Sequence, residues 1–222
     1  MLTTDTMLTM KMFQGLAIMF DEYKEYPGWE SYVVPQRDKY GCIPTGCEIL
    51  LRAAKAEDIY PKIYDEFQEK FDCRSDKQPN GVDTVPNDFD TVPNKIKEKY
   101  PDINFKREPS EKHDKFTGKD KLNEIEKLFK DNIFTLISFH IPPYPPKDAP
   151  KGTPRAYHTM PIIAMDKHNL ILFNTPNEIE GFNPHKHLML LPKNTLVWIH
   201  DNHEGGNDIL YLEKIKRSET IR

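Results

Sequence analysis

Apolar positions recur at helical spacing through the first half of the chain and gather into short unbroken runs in the second. Ile49, Leu50, Ala53 and Ala54 repeat every three to four residues behind Pro44, so a helix is expected over 44–56, opened by a proline whose missing N–H costs nothing in a first turn. Ile63, Tyr64, Phe67 and Phe71 predict a second helix over about 58–71, with Asp58 able to cap it and Pro61 in its first turn. A third is opened by Thr91 and Pro93 and closed by Tyr100-Pro101. Leu122, Ile125, Leu128 and Phe129 give the stripe of a fourth, over about 119–131. Between the second and third, residues 72–92 read as a polar loop. Its echo, Asp83 to Asn87 and then Asp90 to Asn94, is too short to signal a repeat architecture.

The period changes after residue 132. Ile133 to Phe139, Met160 to Met165 and Leu170 to Phe173 read as strands, the last two joined hairpin-fashion by Asp166 to Asn169. Leu188 to Leu191 and Ile209 to Leu212 are further strand candidates, and Thr195 to His200 fits a short helix or a strand. Residues 141–157 form a loop stiffened by six prolines and standing directly before His158, where a lid or substrate wall is one reading and a surface excursion the other. Tyr32 to Val34 reads as a short extended piece, whereas residues 1–32 give no clear pattern. Helices first and strands second predict an α+β fold with a mostly antiparallel sheet. The 222 residues fit a single domain, with a helical part over about 36–131 and a sheet part over about 132–215.

Charge and composition narrow the function. The net charge of −4 is spread in mixed sign along the chain, which argues against a nucleic-acid partner. The basic stretch Lys112 to Lys121 is broken by acids and reads as a solvated helix face or loop. No apolar run reaches the roughly 18 residues of a membrane span, so no membrane partner is expected. Phe13 to Phe20 lacks the basic flank and cleavage site of a secretory signal, and three cysteines are an odd number for a disulfide framework; a cytoplasmic protein with reduced thiols is expected. No dinucleotide or phosphate-loop glycine pattern occurs. His185, His187, His200 and His203 lie close in sequence, but no cysteine or carboxylate set with metal-site spacing accompanies them. No metal and no other cofactor is expected.

The candidate chemistry centres on Cys42, at the head of the 44–56 helix. Unpaired N–H groups and the helix dipole favour an anion there, which predicts a lowered thiol pKa and a usable nucleophile. The same N–H groups suit an oxyanion, and the Gln36 side-chain amide, just upstream, could add a second donor. His158, at the opening of a strand, is the candidate base, with His140 as its rival. Asn174, at the end of the next strand, sits across the hairpin from His158 and could accept the imidazole N–H. The bland alternatives are a buried filler cysteine, a strand-edge histidine and a turn-forming asparagine. Cys47 reads as core packing, Cys73 as incidental and Trp198 as core.

Taken together, Val34-Pro35-Gln36, Cys42-Ile43-Pro44-Thr45 with its helix, Tyr157-His158, and Phe173-Asn174-Thr175-Pro176 resemble the papain-like peptidases that cleave double-glycine leader peptides, and their standalone C39-like relatives. The resemblance runs from about Val33 to Pro176. It implies a papain-like fold whose helical lobe carries Cys42 and whose sheet lobe carries His158. It further implies a cysteine peptidase or amidase with Cys42 as nucleophile, His158 as base, Asn174 as orienter and Gln36 as oxyanion donor, acting on a peptide or other acyl substrate. Two departures stand out. Ile43 replaces the glycine usual after the cysteine, and Thr175 occupies the position before proline where relatives often carry Asp, so Thr175 competes with Asn174 for the third role. An acyl-transferase on the same fold, or an inactive peptide-binding module with Ile43 filling the cleft, are the alternatives.

Overall fold

The computed structural model describes residues 22–36, 42–55, 74–75, 78–82, 94, 96–109, 116–140, 157–176, 180–202 and 208–213. The strands are β1 (Lys24–Glu25), β2 (Arg74–Ser75), β3 (Gln78–Val82), β4 (Phe105–Glu108), β5 (Thr135–His140), β6 (Tyr157–Met165), β7 (Asn169–Phe173), β8 (Leu188–Pro192) and β9 (Ile209–Leu212). The helices are α1 (Cys42–Ala53), α2 (Gly118–Lys130) and α3 (Lys193–Asn202).

One antiparallel sheet, ordered β4-β9-β5-β6-β7-β8, carries the fold, with β1 added along β6. Strands β5 to β8 form a consecutive meander, because each connection returns the chain beside the strand it has just left. The tight return between β6 and β7 has a local cause: Asp166 Oδ1 accepts from the backbone N–H groups of His168 and Asn169, at 2.6 and 2.7 Å. Strand β9 then comes back to the other side of β5, and β4 covers β9. Strand β1 pairs with Ala164 and Met165, beyond the point where β5 begins, so it prolongs the line of β5.

Helix α1 lies on this sheet over β5 and β6. It is buried from Cys42 to Leu51, and its close approach depends on Gly46, where a Cβ would stand 2.6 Å from a methyl of Leu136 on β5. Helix α2 starts with a capping box: the Thr117 hydroxyl accepts from the Asp120 N–H, and the Asp120 carboxylate accepts from the Thr117 N–H. Its first residue, Gly118, sits against the backbone of α3, with Val197 O only 2.5 Å from where a Cβ would be. The core between these layers includes Leu136, Ile162, Leu170, Leu172, Phe173 and Leu210, all closed to solvent.

Several sequence expectations need correction. Helices and strands are not strictly segregated: β4 lies in the helical half, and residues 193–202 are the helix α3. The loop expected over 72–92 contains the β2–β3 hairpin. Tyr32 to Val34 follows a short 3-10 turn at Trp29–Ser31 and joins no strand. Lys121 is no solvated residue: it is 0% exposed, and its Nζ donates to Ser138 O at 2.8 Å. Trp198 is 50% exposed rather than core. The helix expected over 58–71, Cys73 and residues 141–156 lie outside the described residues. Among those described, no helix is long and apolar enough to cross a membrane.

Candidate active site

The end of β7 sets the geometry. The β6–β7 pairing runs from Ile162 onward, and residues 157–161 of β6 extend past it. His158 sits on this overhang, and Asn174 directly follows β7. His158 Nε2 and Asn174 Oδ1 are 2.9 Å apart. A carboxamide oxygen only accepts, so the ring donates from Nε2 and keeps Nδ1 as its basic nitrogen. The backbone of Asn174 is itself held, its N–H donating to His187 O at 2.8 Å. Partial burial holds the His158 pKa below its ordinary value against the opposing pull of the Asn174 hydrogen bond, so at neutral pH the imidazole is uncharged.

Cys42 is the first residue of α1 and reaches the same stretch of β6. Its thiol lies against the Thr159 backbone N–H, which belongs to the peptide bond joining His158 to Thr159, with the Ile43 N–H and its own also directed at the sulfur. The buried Thr159 hydroxyl adjoins the sulfur as well. These donors favour a thiolate, but Cys42 is only 6% exposed, and burial outweighs them. The thiol pKa is therefore raised, contrary to the lowering expected from the helix terminus alone, because the sequence shows the helix head but not the depth at which it is buried. Cys42 and His158 are thus both held toward their neutral forms.

Gln36 is buried on the other side of the same junction. Its N–H donates to Pro176 O at 2.7 Å, and its Oε1 accepts from the Thr175 hydroxyl at 2.7 Å. Asn174 and Thr175, rivals for one role in the sequence, thus make separate contacts: Asn174 with His158 and Thr175 with Gln36. Ile43 packs into the hydrophobic core. Cys47 is fully buried on α1.

The remaining histidines do not converge. His185 packs edge-on against Trp29, His187 stacks on Phe182, and His200 Nε2 bonds Phe116 O at 2.7 Å. Among the described residues no three His, Cys, Asp or Glu side chains gather as metal ligands. His203 lies outside them, and of His140 only the backbone, paired with Tyr157, is described.

Thr159 is the residue that sequence reading missed. Its position next to a candidate base was visible, but only the folded chain brings its N–H and hydroxyl to the sulfur.

No protein-family model matches the chain, and no curated protein matches it by sequence. Among solved structures it is similar to a candidate C39-like peptidase from Bacillus anthracis, with a TM-score of 0.50 and 17% identity over 88% of this chain and 100% of that one. A likeness at this identity is one of fold: the mixed helix and antiparallel-sheet architecture described above is a C39-like, papain-like α+β arrangement.

Proposed function

We propose that the protein is a cysteine hydrolase that cleaves an amide or related acyl bond through an acyl-enzyme on Cys42. The observation that carries this reading is the His158–Asn174 hydrogen bond, since it leaves Nδ1 of the imidazole as the available base, while Cys42 meets Thr159, the next residue along β6. The C39-like fold supports the same reading.

In the proposed reaction His158 Nδ1 takes the Cys42 proton as the sulfur attacks the carbonyl carbon. The carbonyl electrons move to oxygen, where the Gln36 amide and the N–H groups at the head of α1 receive the charge. Collapse expels the leaving amine, which takes the proton back from His158, and a thioester remains. Water, deprotonated by His158, then attacks the thioester and releases the acid and the thiol. The reaction requires the sulfur and the imidazole to come within hydrogen-bond reach in the substrate complex. A raised thiol pKa and a lowered imidazole pKa fit this proton-transfer sequence, in which no resting ion pair is required.

An acyl-transferase would follow the same steps up to the thioester and then use an amine in place of water. An inactive binding module finds less support, because Ile43, the bulk that would have blocked the cleft, is packed in the core.

The test is acylation by p-nitrophenyl acetate, followed by p-nitrophenolate release and by mass spectrometry of the intact protein and its peptides. A stoichiometric burst with one acetyl group on Cys42, absent from Cys42→Ala, is the expected result. An acetylation pattern unchanged by Cys42→Ala would overturn the proposal. Adding amines after the burst separates the two acceptors: faster turnover with amide product marks a transferase.

A further inference from the structure

We infer that Thr175 is a positioning residue that holds the Gln36 amide in place for the reacting carbonyl. The inference rests on the proposal that Gln36 donates to the oxyanion. A primary carboxamide has a donor end and an acceptor end of nearly the same shape. Only the donor end stabilises a developing oxyanion; turned about, Gln36 would present Oε1 to a negative charge and repel it. The amide head therefore needs a hydrogen bond that keeps it in place.

Thr175 makes it. Its hydroxyl donates to Gln36 Oε1 at 2.7 Å in a buried contact, with Thr175 at 5% and Gln36 at 3% exposure. That bond anchors the acceptor end and turns Nε2 away from Thr175. The main chain is tied at the same place, through Gln36 N–H to Pro176 O at 2.7 Å, so the amide is anchored both through its backbone and through its head. Asn174, the preceding residue, bonds His158 at 2.9 Å. The three residues Asn174-Thr175-Pro176 thus fix the base and the oxyanion donor relative to each other. This gives a physical reason for a threonine at the position before Pro176: its hydroxyl serves Gln36 and not the imidazole.

Two reactions of Cys42 separate this role from a general structural one. Acylation by p-nitrophenyl acetate passes through an oxyanion, whereas alkylation by iodoacetamide displaces iodide and forms none. Thr175→Val keeps the side-chain shape and removes the hydroxyl, and Thr175→Ser keeps the hydroxyl. The Val variant is expected to acylate about 10- to 100-fold more slowly than wild type, below the full loss of an oxyanion donor. It should alkylate at the wild-type rate, and the Ser variant should recover most of the acylation rate. If Val does not allow folding, Thr175→Ala serves the same comparison. Wild-type acylation in the hydroxyl-free variant, or equal losses in both reactions, would overturn the role of Thr175 and leave the cysteine-enzyme reading standing. If wild-type Cys42 is not acylated at all, that reading fails and the role of Thr175 fails with it.

Discussion

Single side chains in this protein are tuned by burial more than by charge. Cys42 and His158 are both pushed toward their neutral forms, because losing water penalises an ion more than the surrounding donors and acceptors favour it. Lys121 is a further case. Buried on α2 with Ser138 O as its partner, its pKa falls to about 7, desolvation outweighing the attraction of Asp208. The unfolded chain holds that proton up to the ordinary value of 10.5, so between about 7 and 10.5 the unfolded state binds more protons than the folded one. Stability must then rise with pH across this window. Urea unfolding should show the rise in wild type and its loss in Lys121→Met, with the variant gaining most relative to wild type at pH 7 or below. Equal pH dependence in the two proteins would contradict the burial of a charge there. None of this was legible in the sequence, where Lys121 sits among charges like any surface lysine; only its distance from solvent distinguishes it.

Secondary-structure elements were legible where a local signal coincided with the tertiary one. Helix α2 was predicted within a residue or so because its apolar stripe is long; the Thr117–Asp120 capping pair that sets its start was not read from the sequence. The β6–β7 hairpin was legible because Asp166 makes its turn. By contrast β4 was missed: Phe105 is its only buried member, and Lys106, Arg107 and Glu108 make no apolar run, so pairing with β9 decides its conformation. Helix α3 was ambiguous because Leu196 to Ile199 is a short apolar run that suits either state, and only the burial of Leu196 and Ile199 with exposure of Trp198 fixes the helical period. The packing of α2 on α3 also rests on one residue. A methyl at Gly118 would meet the Val197 carbonyl oxygen at 2.5 Å and its Cα at 2.7 Å, and a backbone cannot step aside as a side-chain tip can. Gly118→Ala should therefore lose about 1–3 kcal/mol in denaturant unfolding, as overpacking commonly does, despite alanine's better helix propensity. An unchanged or raised midpoint would show that the two helices are not in contact at that point.

At the level of the whole molecule, the sheet brings together residues more than a hundred positions apart. Gln36 and Cys42 come from the segment leading into α1, His158 from the overhang of β6, and Asn174 and Thr175 from the end of β7. Residue types and their order pointed to Cys42, His158, Asn174 and Gln36 in the sequence, because a cysteine at a helix start and a hairpin-spaced His and Asn are local features. Their electrostatics were not local. The expected lowering of the thiol pKa failed because depth beneath the surface is a property of the folded chain, and the partner of Thr175, 139 positions away, is equally non-local.

The central claim is that the imidazole held by Asn174 serves as base to the neighbouring thiol. The rate of Cys42 acylation by p-nitrophenyl acetate against pH, in wild type and His158→Ala, tests it most directly. Wild type should rise through an apparent pKa below 6.5, as His158 loses its proton, and then hold level through neutrality. His158→Ala should be about 10²- to 10⁴-fold slower at pH 7, the usual worth of a positioned base, and should rise only as the thiol ionises above pH 9. Superimposable profiles for the two proteins would contradict the claim.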